Sequence, residues 1–190
     1  MNVSPGGASR SGAPAPGPEI DQERIALRKA AVWAFVAGIC HIVATEFAPG
    51  FYPSWYFALS AVGYGLLLPV IASLHVRHEP LRGSGTVLGT IAGASVVTLG
   101  LAAAANTDLI PAALFVRGIW WWTIGKMWAE TGVLPRVFGW ITGLLAISCF
   151  ALVAFYAATG LPMAPPDLLL RLNLGLWLIV LAVFFWRDAR

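Results

Sequence analysis

Arg117 is the residue whose chemistry needs explaining first, because it lies deep inside a long apolar stretch. An isolated arginine near the middle of a membrane helix costs roughly 2.5–3.5 kcal/mol on insertion scales. Its guanidinium must therefore face other helices or a wet cavity. This placement predicts a site for an anion or a polar headgroup. The alternative is a structural ion pair or a clamp on helix carbonyls.

Glu46 and Arg171 are the charged residues best placed to join Arg117. Glu46 closes the first apolar stretch, where its carboxylate meets the negative pole of the helix dipole, so another group should hold it. Arg171 lies one turn into the last apolar stretch, and Asn173 lies just below it. We expect these residues to line one outward-facing polar pocket with Arg117. For Glu46 and Arg171 the alternative is snorkelling to the membrane surface.

Trp120 and Trp121 follow Arg117 by three and four residues, which places them on its helical face. A cation–π contact with the guanidinium is expected there. The cluster predicts an aromatic wall for a flat ligand such as a quinone, a carotenoid or a sterol-like lipid. The alternative is bulky packing together with lipid contact.

The histidines and cysteines do not predict a metal site. His41 has no Cys, Asp or Glu three or four residues away, so it indicates a hydrogen-bonded histidine in the bundle rather than a ligand, with a proton relay as the alternative. His75 and His78 form an H-x-x-H pair beside Glu79, which is more typical of a solvated turn. No nucleophile–base pair or pair of carboxylates is visible, so no catalytic residue or cofactor is predicted and an enzyme is disfavoured.

The composition indicates the medium in which these residues lie. Only 11% of the 190 residues are charged and 58% are hydrophobic, whereas soluble domains carry about 25% charged residues. The chain is therefore expected to be an integral membrane protein whose first partner is the lipid bilayer. Its basic residues do not form a stripe, so nucleic acid is not an expected partner.

The elements that must position these residues are six transmembrane helices, in an all-α fold. The apolar stretches lie near 30–48, 54–75, 85–105, 109–128, 137–158 and 168–187, each close to the ~20 residues that a crossing needs. Residues 1–25, rich in Pro, Gly and Ser, are expected to form a disordered cytoplasmic tail. Residues 26–190 are expected to form the membrane domain.

The positive charges predict the orientation of the six helices. Ten of the twelve Lys and Arg residues fall on one side if the N-terminus is cytoplasmic, and the first, third and fifth connections hold none. That alternation follows the positive-inside rule and places both termini in the cytoplasm.

Small residues at four-residue spacing predict where helices approach closely. Gly85, Gly89 and Gly93 form one such row, and Ala34 and Gly38 belong to another. Rows of this kind allow close helix packing within a bundle. The alternative is a dimer face, so the expected protein partners are a second copy of the chain or a larger membrane complex.

The segment WAETGVLPRVFGWITG, residues 128–143, resembles small bacterial six-helix membrane proteins of unknown function. The likeness covers the fourth and fifth spans, with Leu134-Pro135-Arg136 between them. It implies a multi-pass protein of the bacterial inner membrane, without a known reaction.

Two functions are compatible with these residues. The first is a non-enzymatic membrane protein that binds a lipid-like ligand or a membrane partner, as a sensor or an accessory subunit. The alternative is a small transporter that uses a pocket around Glu46, Arg117 and Arg171.

Overall fold

The computed structural model describes residues 18–46, 54–160 and 164–190. They form six α-helices: α1 Pro18–Glu46, α2 Ser54–Gly65, α3 Leu67–Ala105, α4 Ile110–Thr131, α5 Arg136–Thr159 and α6 Ala164–Asp188. A short 3-10 turn, Thr107–Leu109, precedes α4. These ranges contain no strand, so the all-α prediction is confirmed.

The long helix α3 turns back on itself at Arg82. This residue leaves helical geometry, with φ −159° and ψ 66°, two residues after Pro80. His75 Nδ1 lies 2.7 Å from Thr90 Oγ1, and Ile71 lies against the backbone of Gly93. The arms 67–81 and 83–105 therefore run antiparallel. Because α2 leads into the first arm with only Leu66 between them, the described residues form six helical rods.

The N-terminal boundary differs from the sequence prediction. Helix α1 begins at Pro18, so residues 18–25 of the predicted tail are helical, while residues 1–17 lie outside the described ranges. Residues 19–29 contain no glycine or proline, and proline is favoured in the first turn of a helix. The first helix consequently begins well before the apolar stretch at 30–48.

Three stretches of the described residues, rather than the six predicted, are long and apolar enough to cross a membrane. They are Gln22–Ala44, Trp55–Ala105 and Arg136–Thr159. The second contains both predicted spans 54–75 and 85–105, because hydropathy does not detect the turn at Arg82. Helix α4 carries three charged residues and four tryptophans, which lower its hydropathy. The described side chains of α6 begin only at residue 172.

Helices approach each other closely at glycines, where the missing side chain lets the two backbones come together. A Cβ on Gly125 would lie 2.8 Å from the carbonyl oxygen of Gly139, where α4 crosses α5. A Cβ on Gly38 would lie 2.8 Å from the carbonyl oxygen of Gly175, where α1 crosses α6. Ala34 is fully buried on α1. Gly85, Gly89 and Gly93 face Met127, Ile124 and Trp120 of α4, so their contacts lie within the bundle.

One end of the bundle is rich in arginine, and we call it the basic end. There Arg77 Nη2 lies 2.6 Å from Asp188 Oδ2, and Arg82 pairs with Glu130. Arg28 Nη2 donates to the carbonyl oxygen of Ala189 at 3.4 Å. These contacts bring α1, α3, α4 and α6 together at the same end.

Candidate functional site

Arg117 lies in the interior of the bundle, about 10 Å along α4 from its first residue at ~1.5 Å per residue. Only 3% of its surface is exposed. Its Nη2 donates to the hydroxyl of Tyr64 at 3.1 Å, and its Cζ lies 5.9 Å from the centre of the Trp121 ring. The sequence-based expectation that this guanidinium points inward therefore agrees with its position.

Helix α2 presents polar side chains to Arg117 from one face. Tyr56, Ser60 and Tyr64 are spaced four residues apart, so they fall on one helical stripe. All three are buried. His41 of α1 meets the Tyr64 ring edge-on, with ring centres 4.6 Å apart. We call the side chains gathered here the polar chamber, which consists of His41, Tyr56, Ser60, Tyr64 and Arg117.

The polar chamber lines a small, partly open cavity of about 20 Å³, whose other sides are formed by apolar residues of α1, α3 and α4. A cavity must offer roughly 10–15 Å³ to hold one water molecule. The chamber therefore has room for one water-sized group beside a buried cation. A complete flat ligand does not fit in this volume.

Trp120 and Trp121 lie in an aromatic core between α4, α5 and α6. Both are essentially buried, and their rings lie 5.4 Å and 5.9 Å from the ring of Trp177. Trp177 in turn stacks on Trp128 and Phe138. Trp121 contacts Arg117 from this core, whereas Trp122, half exposed, faces outward. The ligand-wall role for Trp120 and Trp121 stays a prediction.

The predicted pocket of Glu46, Arg117 and Arg171 is described only in part. The side chains of Glu46 and Arg171 lie outside the described residues, although the helices that carry them end and begin near the same end of the bundle. Asn173 is half buried on α6. The association of these three residues with Arg117 stays a prediction.

The contribution of α2 to the site was not predicted from the sequence, where Tyr56, Ser60 and Tyr64 were not assigned to any site. A signal for them exists: polar groups at four-residue spacing inside an apolar stretch indicate one inward-facing stripe.

A second polar cluster lies beneath the basic end. Trp128 Nε1 donates to His78 Nε2 at 2.9 Å, and His78 Nδ1 lies 2.7 Å from the carbonyl oxygen of Leu74. Because a carbonyl can only accept, Nδ1 carries the proton and the ring is neutral. His75 bonds to Thr90 instead. Among the described residues, no three His, Cys, Asp or Glu side chains converge as a metal site would require.

Comparison with known proteins does not extend this description. No family model matches the chain, and no curated protein or solved structure shows significant similarity to it. The resemblance to small bacterial six-helix membrane proteins accordingly stays a prediction.

Proposed function

We propose that this chain is a non-enzymatic, six-span protein of the bacterial inner membrane, with both termini in the cytoplasm. The six rods support this topology, because arms 67–81 and 83–105 are separate antiparallel helices. The basic end supports the orientation, since it gathers Arg28, Arg77 and Arg82 at one end of the bundle. This end would face the cytoplasm.

We further propose that the polar chamber binds the acidic group of a lipid-like ligand. The observation that carries the proposal is the buried Arg117 guanidinium beside a cavity with three hydroxyl groups and one imidazole. Hydrogen bonds from a guanidinium to a carboxylate are about twice as strong as neutral ones, and they strengthen where water is excluded. A chamber with this lining selects an acid over an alcohol.

The size of the cavity limits how the ligand binds. About 20 Å³ admits a terminal oxygen-bearing group, so the apolar body of the ligand lies outside the chamber. Glu46, in the predicted pocket, is the internal carboxylate that would compete for Arg117.

The test is thermal unfolding of the purified chain in neutral detergent, with dodecanoate, dodecanol or butyrate added. Dodecanoate is expected to raise the unfolding midpoint more than butyrate does, because butyrate has the carboxylate without a long apolar chain. Dodecanol has the apolar chain without the carboxylate and should have little effect. Arg117→Gln should abolish the dodecanoate effect, whereas Arg136→Gln, an exposed control, should retain it. Glu46→Gln should strengthen it by removing the competitor.

Equal effects of dodecanoate and dodecanol, or an unchanged effect in Arg117→Gln, would contradict ligand binding at the chamber. Uptake of butyrate into proteoliposomes that is lost in Arg117→Gln would favour the transporter alternative instead. In Tyr64→Phe, which removes only the hydroxyl bonded to Arg117, the dodecanoate effect should be reduced but not abolished.

A further inference from the structure

An apolar groove lies between α1 and α6 near the basic end, away from the polar chamber. It has a volume of about 480 Å³, well above the chamber and within the range of ligand pockets in proteins. Its lining includes Phe35 of α1 and Val183 and Trp186 of α6, and Arg187 and Arg190 close it at the basic end.

The groove results from the sizes of the residues on the two helices. Ala31 and Ala182 are buried and form its floor, whereas Phe35 and Val183 are 50% and 60% exposed and form its walls. The glycine crossing at Gly38 holds the two helices together beyond the groove. Small residues between larger ones leave a channel that runs along the helices.

The groove lies within one leaflet of a bilayer. From Ala182 to Arg187, where the predicted last span ends, the chain advances about 7.5 Å at ~1.5 Å per residue. One leaflet of a ~30 Å hydrocarbon core is about 15 Å thick. In the proposed orientation the groove extends from the cytoplasmic surface through about half of that leaflet, with Arg187 and Arg190 at the headgroup level.

The charge at the end of the groove is positive. Arg187 Nη2 lies 3.3 Å from Asp188 Oδ1, but the other oxygen of this carboxylate already binds Arg77 at 2.6 Å. Arg28 reaches the same end of α6 through the carbonyl oxygen of Ala189. Among the described side chains, the carboxylate of Asp188 is the one acidic group in contact with these arginines.

From this combination we infer that the groove binds an anionic phospholipid of the cytoplasmic leaflet, with one acyl chain between α1 and α6 and its phosphate at Arg187 and Arg190. An apolar channel recognises the acyl chain, and the arginine pair distinguishes an anionic headgroup from a zwitterionic one. The inference rests on the proposed membrane topology but not on ligand binding at the polar chamber.

The test is native mass spectrometry of the full chain in detergent, with phosphatidylglycerol and phosphatidylcholine of identical acyl chains in competition. The chain should retain phosphatidylglycerol in preference, with one lipid per chain. Each arginine near a membrane surface contributes about a fivefold preference for anionic lipid. Arg187→Gln with Arg190→Gln should therefore weaken retention by roughly thirtyfold. The exposed pair Lys126→Gln with Arg136→Gln removes the same charge away from the groove and should leave retention unchanged.

Four results would overturn the inference. The chain could retain both lipids equally, or the control pair Lys126→Gln with Arg136→Gln could weaken lipid retention as much as the arginine pair does. Glycerol phosphate alone could displace the lipid, or the chain could be recovered as a dimer without bound lipid. A chain that stays in solution without detergent would contradict the proposed topology and, with it, the groove. Dodecanoate stabilisation that persists in the Arg187 and Arg190 double variant would show that the chamber binds independently of the groove.

Discussion

At the scale of single residues, two of the groups that contact Arg117 stabilise its charge and are themselves neutral. A phenol hydroxyl accepts from its Nη2, and the indole face of Trp121 lies within cation–π distance. A buried guanidinium held in this way can donate to an acidic group that enters the cavity.

His78 allows a prediction about pH, because it is buried in the neutral form near the turn between the arms 67–81 and 83–105. Burial is the main cause that lowers the pKa of His78 below its usual value of 6.5, and Arg77 lowers it further, whereas the bond to Leu74 opposes the shift. Protonation of Nε2 would also break the bond from Trp128. The unfolded chain therefore binds a proton that the folded chain excludes, and stability falls as the pH drops below 6.5.

The measurement is the unfolding midpoint between about pH 7.5 and about pH 5.5, a window that brackets the usual histidine pKa. The midpoint should decrease toward acid, and His78→Gln should lose most of this dependence. His75→Gln is the matched control and should retain it. An identical pH dependence in His78→Gln and in the unsubstituted chain would contradict the prediction.

The sequence predicted one half of the chamber and not the other. Arg117 could be assigned to the interior because a charge in an apolar stretch has few other places to go. The spacing of three and four residues also placed Trp120 and Trp121 on the face of Arg117, and both are buried. The position of Tyr64 depends on Gly100, whose missing side chain leaves room for the tyrosine ring, and this pairing is tertiary.

At the scale of elements, the contact between α4 and α5 depends on two glycines. A Cβ on Gly139 would lie 2.7 Å from both Ala129 N and Gly125 O, and backbone atoms cannot move aside as side chains can. Gly139→Ala should therefore separate the helices and cost about 1–3 kcal/mol, the usual range for overpacking.

Gly143 on the same helix supplies the control for this prediction. A Cβ there meets nothing within 4 Å, and alanine is a better helix former than glycine by about 0.5–1 kcal/mol. Thermal unfolding in detergent should show a lower midpoint for Gly139→Ala and an unchanged or higher one for Gly143→Ala. Equal midpoints for the two variants would refute the close crossing.

Helix ends were predictable where the sequence contains turn-forming residues. The turn inside α3 falls between the predicted spans 54–75 and 85–105, and α4 and α5 begin and end within three residues of the predicted spans. Hydropathy alone places the start of the first helix at residue 30, because it does not detect the good helix formers among the charged residues 19–29, which continue α1 back to Pro18.

At the scale of the whole molecule, the outer surface indicates the medium. Val137, Trp140 and Leu144 of α5 are each more than 60% exposed, although they belong to one of the most apolar helices. A continuous apolar face of this kind would promote aggregation in water. In a bilayer this face would contact acyl chains, while Arg117 is buried in the chamber and Arg28, Arg77 and Arg82 lie at the basic end.

In the proposed topology the rods cross the membrane alternately, with the basic end in the cytoplasm. Single cysteines at Gly83, Thr107, Arg136 and Thr159, in a chain with Cys40 and Cys149 replaced by alanine, test it through labelling of intact cells with an impermeant maleimide. We expect Thr107→Cys and Thr159→Cys to react in intact cells, whereas Gly83→Cys and Arg136→Cys should react only after lysis. Labelling of Gly83 and Thr107 from the same side would contradict it, because the arm 83–105 would then not cross the membrane.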